Sequence, residues 1–220
     1  MAENLDKEQL MLEYRELSGE PEINISGRID GYGICSNGIC ETIGVASNTT
    51  IDGPYSFENC RNLKTVNIGE NVSITGNNTF IGCSSLTTLN TSNGLRLYGN
   101  GTFAGCVLRK IVIPKGTIID GKYSFGNSQN LESVIIEDNV VFIGDNTFKD
   151  CSKLSIVRIG NNVRFLGNGT FANCERLETL RLGNNVSVLG EDNFTGCRNI
   201  TTSTHGDNYV FTDKSVTENA

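Results

Sequence analysis

The chain has few of the residue types that commonly carry catalysis, metal binding or membrane anchoring. Its 220 residues include no tryptophan, one histidine and three prolines, and they contain no run of 18 apolar residues. A membrane-spanning helix needs about 20 consecutive apolar residues, so we expect no membrane insertion. The lone histidine, His205, leaves no ready Ser–His or Cys–His pair and no histidine-rich metal site. We therefore expect no enzyme activity, no cofactor and no metal ion.

The net charge of −7 is concentrated at the two ends of the chain. Residues 1–22 contain seven acids and two bases, and residues 205–220 contain three acids and one base. The remaining residues, 23–204, are therefore neutral overall. A nucleic-acid-binding protein usually carries a basic stripe or patch, and this chain has none in its sequence. We expect a protein partner and no nucleic acid.

What the chain does contain is a repeat with a period of 23 residues. One phenylalanine marks each copy, with one gap of 22 residues and five of 23: Phe57, Phe80, Phe103, Phe125, Phe148, Phe171 and Phe194. A fixed period of this length is typical of a solenoid, in which each repeat is one supersecondary unit that stacks on its neighbours.

Each repeat predicts two short strands and two turns. After the phenylalanine come a cysteine and an L-x-x-V-x-I segment, whose alternation is that of a strand. An Asn- and Gly-rich turn, a second alternating pair and a glycine follow. A Ser or Thr before most of the phenylalanines resembles an N-cap, which predicts a short helical turn over F-x-x-C. We therefore predict an α/β repeat solenoid, mostly β, with two parallel sheets and short helical turns.

The single 22-residue gap has an identifiable position. One residue is missing between Cys106 and Leu108 relative to the other repeats. A deletion inside a strand would turn its side chains to the opposite face, whereas a deletion in a corner leaves them in place. We therefore expect the apolar columns on both sides of this gap to stay in register.

The repeat unit resembles a known family. The segment GNGTFANCERLETLRLGNNVSVLG at residues 167–190 is similar to the BspA-like class of leucine-rich repeats, and the resemblance covers about residues 34–203. It implies stacked 23-residue leucine-rich repeats that act as a non-catalytic protein-binding module. Members of this class are described as cell-surface adhesion or host-interaction proteins, so the resemblance implies that role here. The start, MAENLDKEQL, lacks the apolar core of a secretion signal. An intracellular scaffold or structural component therefore remains the alternative, and the location stays open.

The chain divides into three predicted parts. Residues 1–22 form an acidic N-terminal helix or cap, residues 23–204 the solenoid, and residues 205–220 an acidic C-terminal tail. Leu10, Tyr14 and Leu17 follow helical spacing within the first part. This helix can either cap the open end of the solenoid or dock on another protein.

The eight cysteines predict core packing rather than a disulfide framework. Six of them share one column of the repeat: Cys60, Cys83, Cys106, Cys151, Cys174 and Cys197. Stacked side chains point in parallel, which does not give the dihedral near 90° that a disulfide requires. We expect buried thiols in this column. Cys35 and Cys40 lie outside it, and a bridge between them remains possible.

Two rows of residues are predicted to point outward, one on each sheet. The row on the L-x-x-V-x-I side contains Val112, Ile135, Arg158 and Arg181, and we predict that it binds the partner. The row on the other sheet contains Ile118, Val141 and Arg164. An apolar patch beside arginines is typical of a protein interface, although β-branched residues are also common on any strand surface.

Overall fold

The structure is a computed structural model that describes residues 21–200, 202–204, 206–208 and 210–211. These residues form a parallel β-solenoid of nine stacked layers, of which about seven are 23-residue turns. The predicted N-terminal helix lies outside the described residues, as does most of the predicted acidic tail.

Each turn of the solenoid contributes one strand to each of two faces. The first face takes the longer strands, β1 (Glu22–Ile25), β3 (Thr42–Val45), β5 (Thr65–Ile68), β7 (Thr88–Thr91), β9 (Lys110–Ile113), β11 (Ser133–Ile136), β13 (Ile156–Ile159), β15 (Thr179–Leu182) and β17 (Thr202–Thr204). The second face takes two-residue strands, β2 (Arg28–Ile29), β4 (Thr50–Ile51), β6 (Ser73–Ile74), β8 (Arg96–Leu97), β10 (Ile118–Ile119), β12 (Val141–Phe142), β14 (Arg164–Phe165), β16 (Ser187–Val188) and β18 (Val210–Phe211).

With one exception on the first face, every strand pairs in parallel with its counterpart in the next turn. The nine strands of the second face form one continuous sheet, whereas the first face is divided into sheets of four and five strands. The predicted pair of parallel faces is confirmed, with one interruption. It falls between β7 and β9, at the 22-residue repeat.

The interruption affects the backbone ladder and not the core. Ile111 and Ile113 on β9 remain buried, so the apolar columns stay in register across the gap as the sequence predicted. The interruption coincides with the corner before β9, which is one residue shorter than the other corners. A side chain bridges the junction instead, since Thr91 Oγ1 donates a hydrogen bond of 2.9 Å to the carbonyl of Val112.

The interior is filled by one phenylalanine from each of seven turns. Seven rings, at positions 57 to 194, stack in a column with centroids 4.9 to 5.4 Å apart, and each ring is at most 1% exposed. Two rings from the second face, Phe142 and Phe165, tilt against this column at about 60°. Because the layers are spaced like parallel strands, flat rings fit the repeat distance closely.

The F-x-x-C segments are turns, so the prediction of short helical turns is wrong. No helix occurs among the described residues. A residue in left-handed conformation stands two positions before each phenylalanine and another stands two positions after it, as with Asn146 and Asp150 around Phe148. Such residues stop a right-handed helix. The hydroxyl that the sequence suggested as an N-cap instead donates a hydrogen bond to a carbonyl three residues earlier. Thr102 Oγ1, for example, donates to the carbonyl of Gly99 at 2.9 Å.

All eight cysteines are buried and carry thiols, as predicted for the column. Each ladder thiol donates to a carbonyl of the preceding turn, for example Cys174 Sγ to Phe148 O at 3.3 Å. Cys35 and Cys40, the pair for which a bridge remained possible, are also thiols. Both point into the core at the N-terminal end.

Ser128 is the one exception in the cysteine column. Its hydroxyl is buried and has no hydrogen-bond partner among the described residues. The neighbouring Cys106 Sγ reaches Phe80 O at 3.6 Å, a distance suited to sulfur. The shorter C–O bond of serine leaves its hydroxyl out of reach of the equivalent carbonyl.

We expect Phe148→Ala to lower the free energy of unfolding by about 3–5 kcal/mol, because it empties one layer of a fully buried column. The matched control is Ile143→Ala, which removes a side chain that is 43% exposed. It should change stability by less than about 0.5 kcal/mol. Denaturant unfolding measures both, and equal stability of the two variants would show that the phenylalanine column is not the core.

We expect Ser128→Cys to raise stability by about 1 kcal/mol, because it replaces an unsatisfied buried hydroxyl with the thiol that the column accommodates. The converse change, Cys151→Ser, should lower stability, since it creates the same defect one turn further along. Thermal midpoints test the pair. A Ser128→Cys variant less stable than the parent would contradict this account of the column.

Candidate functional site: the two outward faces

The predicted binding row forms a straight line on the first face. Val112, Ile135, Arg158 and Arg181 are direct register neighbours on β9, β11, β13 and β15. The two aliphatic side chains are half-buried and the two arginines are exposed. The four residues thus form one contiguous surface across the five-stranded sheet, as strand periodicity requires.

A second row on the same strands lies beside it. The side chains two residues earlier on each strand also point outward: Lys110, Ser133, Ile156 and Thr179. Ile156 is 37% exposed, so it extends the apolar patch of Val112 and Ile135. The sequence analysis missed this row, although the same alternation that placed the first row also places the second.

We call these eight residues the basic face, because it contains three cations and no acid. Lys110, Arg158 and Arg181 form no salt bridge among the described residues. Four other cations are paired among the described residues, as with Arg109 and Glu132 at 2.7 Å beside this surface. The basic face is therefore a local positive patch on an acidic protein, and its charges are available to a partner.

The N-terminal half of the first face has a different character. The row that carries Val112 and Ile135 continues there as Asn24, Gly44, Asn67 and Asn90. These residues and the small turn residues beside them line a groove of about 510 Å³. We call it the asparagine groove. The sequence analysis missed this groove. The sequence signal that could have revealed it is the change along this row from asparagine and glycine to aliphatic residues and arginine.

Amide side chains organise the asparagine groove. Asn90 Nδ2 donates to Asn67 Oδ1 at 2.8 Å. The Asn24 side chain lies over Gly44. A Cβ added to Gly44 would come within 2.1 Å of Asn24 Oδ1. The groove is therefore shallow and uncharged, with amide and hydroxyl groups beside aliphatic side chains, and it begins at the first strand of the solenoid.

The outward row of the second face is also in register. Ile118, Val141 and Arg164 are neighbours on β10, β12 and β14. A line of exposed aliphatic side chains, which the sequence analysis missed, follows these strands. It consists of Ile143, Leu166 and Leu189, which are 43%, 36% and 44% exposed. Their spacing of 23 residues was the signal that could have revealed it.

Comparison with known families agrees with this repeat architecture. A model of the BspA type leucine-rich repeat region matches with six copies, over residues 35–121 and 98–219. The chain belongs to the BspA-type leucine-rich repeat family. Membership indicates a protein-interaction module, since leucine-rich repeat proteins are generally binding modules without enzyme activity. No curated protein matches the chain.

Two solved structures resemble this BspA-type solenoid. A leucine-rich repeat protein from Bacteroides ovatus is 22% identical, with a TM-score of 0.53 over 84% of this chain; the chain spans only 59% of that protein. The leucine-rich repeat protein of T. pallidum is 20% identical, with a TM-score of 0.49, and 83% of this chain and 78% of that protein are covered. At these identities, the first likeness supports the shared fold alone.

The buried thiols of the BspA-type core are poor nucleophiles. Burial raises the pKa of the Cys106 thiol from 9.0 to about 12. Burial and the neighbouring Cys40 likewise raise the pKa of Cys35 to about 12. The reactive form of cysteine is the thiolate, which these shifts suppress near neutral pH. The thiols thus serve packing and hydrogen bonding.

The described residues contain no cluster of three or more His, Cys, Asp or Glu side chains able to hold a metal ion. Within the same part of the chain, no helix has the length and apolarity needed to cross a membrane.

Proposed function

We propose that the chain is a non-catalytic protein-binding module that binds its partner on the basic face. The observation that carries this proposal is the in-register line of Val112, Ile135, Arg158 and Arg181. Aliphatic side chains at the centre exclude water, and arginine is among the residues that contribute most to interfaces. The two arginines are exposed and form no ion pair among the described residues, so both can contact a partner.

The role we propose is cell-surface adhesion or host interaction, in keeping with the BspA-type repeats. A solenoid suits this role, since its stacked turns present long regular surfaces. The basic face has no exposed tryptophan, so we expect moderate affinity for one module and stronger attachment where several copies act together.

An intracellular scaffold is the second candidate, and the state of the cysteines favours it. All eight cysteines are thiols, although secreted proteins commonly form disulfides. The two candidates share the same binding surface and differ in where the protein acts.

The site is tested with a pair of matched double variants. Ile135→Asp with Arg158→Glu changes two register neighbours on the first face. Val141→Asp with Arg164→Glu makes the same chemical changes on the second face, also at register neighbours. We expect the first variant to lose binding at least tenfold to immobilised mammalian extracellular-matrix proteins, because it removes both the apolar centre and a cation. The control should bind like the parent.

Thermal midpoints of both variants should stay close to that of the parent, which separates lost binding from lost folding. If only the second-face variant loses binding, the partner site lies on Ile118, Val141 and Arg164. A parent protein that binds no matrix protein would contradict adhesion. Labelling of intact source cells with a membrane-impermeant reagent then distinguishes the candidates, since a surface protein is labelled and an intracellular scaffold is not.

A further inference from the structure

The second face carries an aliphatic patch that the basic face does not use. Ile118 and Val141 are half-buried at the starts of β10 and β12. Ile143, Leu166 and Leu189, which directly follow β12, β14 and β16, are 43%, 36% and 44% exposed. These side chains stand in two adjacent rows on successive layers, so they form one contiguous apolar surface. Such a patch on a soluble protein commonly marks an interaction site.

Two charges of opposite sign flank the centre of this patch. Asp120 directly follows β10, one layer before Ile143, and Arg164 begins β14, one layer after Val141. Both charged residues are exposed, and neither forms a salt bridge among the described residues. Two layers separate them along the solenoid, which is about 9.6 Å at the spacing of parallel strands. Each is therefore available to a group outside its own chain.

The patch is complementary to a second copy of itself. In a two-fold dimer each residue contacts a different residue of the other copy, except on the axis, where a residue meets its own counterpart. When the axis runs along β12, the layer of β10 in one copy faces the layer of β14 in the other. Asp120 of each copy then lies near Arg164 of the other. Val141 and Ile143 meet their own counterparts, and both are aliphatic, so no like charges are brought together at the axis.

The distance between the two charged residues suits a salt bridge in this arrangement. Packed sheets lie about 10 Å apart, and two residues along a strand cover about 6.6 Å. The Asp120 and Arg164 backbones of opposite copies are therefore about 12 Å apart, which an extended arginine and an aspartate bridge together. The aliphatic stem of the arginine packs on Ile118 of the other copy while its guanidinium reaches the carboxylate.

The charges also select the relative direction of the two solenoids. When the two-fold axis runs along the solenoid instead, each layer faces the same layer of the other copy. Asp120 then lies opposite Ile118, and its carboxylate loses water without gaining a partner, which costs free energy. Only the dimer with layers in opposite order pairs the two charges.

We propose that a second copy of this chain docks on the second face to form a two-fold antiparallel dimer, with Asp120 of each copy paired to Arg164 of the other. No residue of the basic face takes part in these contacts, so the proposal does not depend on the proposed function. If both hold, the dimer carries two partner sites, and its attachment to a surface gains from avidity.

The size of the patch sets the expected strength of the dimer. The three steps from β10 to β16 span about 14 Å. The patch therefore covers a few hundred Å², less than the roughly 800 Å² per partner of a stable interface. We expect a dissociation constant weaker than about 1 μM, so the dimer separates on dilution. Partner binding measured with dilute protein then reports on the monomer.

Reversal of the two charges tests the dimer and its direction together. Sedimentation of the full chain from about 1 μM to about 1 mM measures the dissociation constant. Arg164→Glu alone and Asp120→Arg alone should each weaken the dimer at least tenfold, because each brings like charges together. An equal mixture of the two variants should dimerise within about threefold of the parent, because every contact then joins opposite charges again. Native mass spectrometry identifies the dimer in the mixture as the one that contains both variants.

The matched control is Arg158→Glu, which makes the same change of charge on the first face and should leave the dissociation constant unchanged. Thermal midpoints of the dilute variants should equal that of the dilute parent, since all these residues are exposed. A parent that stays monomeric up to about 1 mM would overturn the proposal. Single variants that dimerise like the parent, or a mixture that dimerises no better than either variant alone, would overturn it as well.

These results are distinguishable from a failure of the proposed function. Dimerisation is measured without any partner, and matrix-protein binding is measured with dilute protein and the Ile135 and Arg158 variant. A parent that dimerises but binds no matrix protein contradicts adhesion alone. A parent that binds through the basic face but never dimerises contradicts the dimer alone.

Discussion

The whole structure depends on the registry between consecutive turns. Each turn must place its backbone amides opposite the carbonyls of the previous turn, and the 23-residue unit does this between most turns. Side chains reinforce the registry in the corners, where Asn184 N donates to Asn161 Oδ1 at 2.9 Å and Asn161 N donates to Asp138 Oδ1 at 2.7 Å. When the backbone conformation repeats from turn to turn, equivalent side chains lie directly above one another. This explains the columns of phenylalanine, cysteine and glycine. The glycine column is the tightest of them, because a Cβ on Gly99 would come within 2.0 Å of the carbonyl of Gly76.

Periodicity made most of this fold predictable from the sequence. The alternation around Val134 and Ile136 predicted an inward pair on one strand, and both are buried. The helical turns were mispredicted because a Ser or Thr before an apolar residue suits an N-cap and a solenoid corner equally. The left-handed residues that decide between them, such as Asp150, are not reliably recognised from residue type. The divided first face was also unpredicted, since the consequence of one missing residue for backbone pairing depends on the geometry of its corner.

The candidate site was predictable in part. The alternation predicted Arg158 and Arg181 on one outward line, and the two residues are direct register neighbours in the structure. The groove at Asn67 and Asn90 escaped sequence reasoning, because concavity arises from the relative bulk of neighbouring turns rather than from any one repeat. Function in such a protein lies in the residues that the repeat leaves unconstrained. The inward columns hardly vary, whereas the outward row changes from amides through aliphatics to arginines and thereby gives each half of the first face its own chemistry.

The central claim is that one cysteine from each of six turns lies inside a single stacked core. Titration of the native protein with a thiol reagent near pH 8, followed by titration in denaturant, tests it most directly. Because burial raises the pKa of thiols such as Cys106, we predict that none of the eight reacts rapidly while the protein is folded. All eight should react after unfolding. Treating the native protein with a reductant should leave its intact mass unchanged, because it contains no disulfide. Rapid reaction of most ladder thiols in the folded protein would contradict the stacked core.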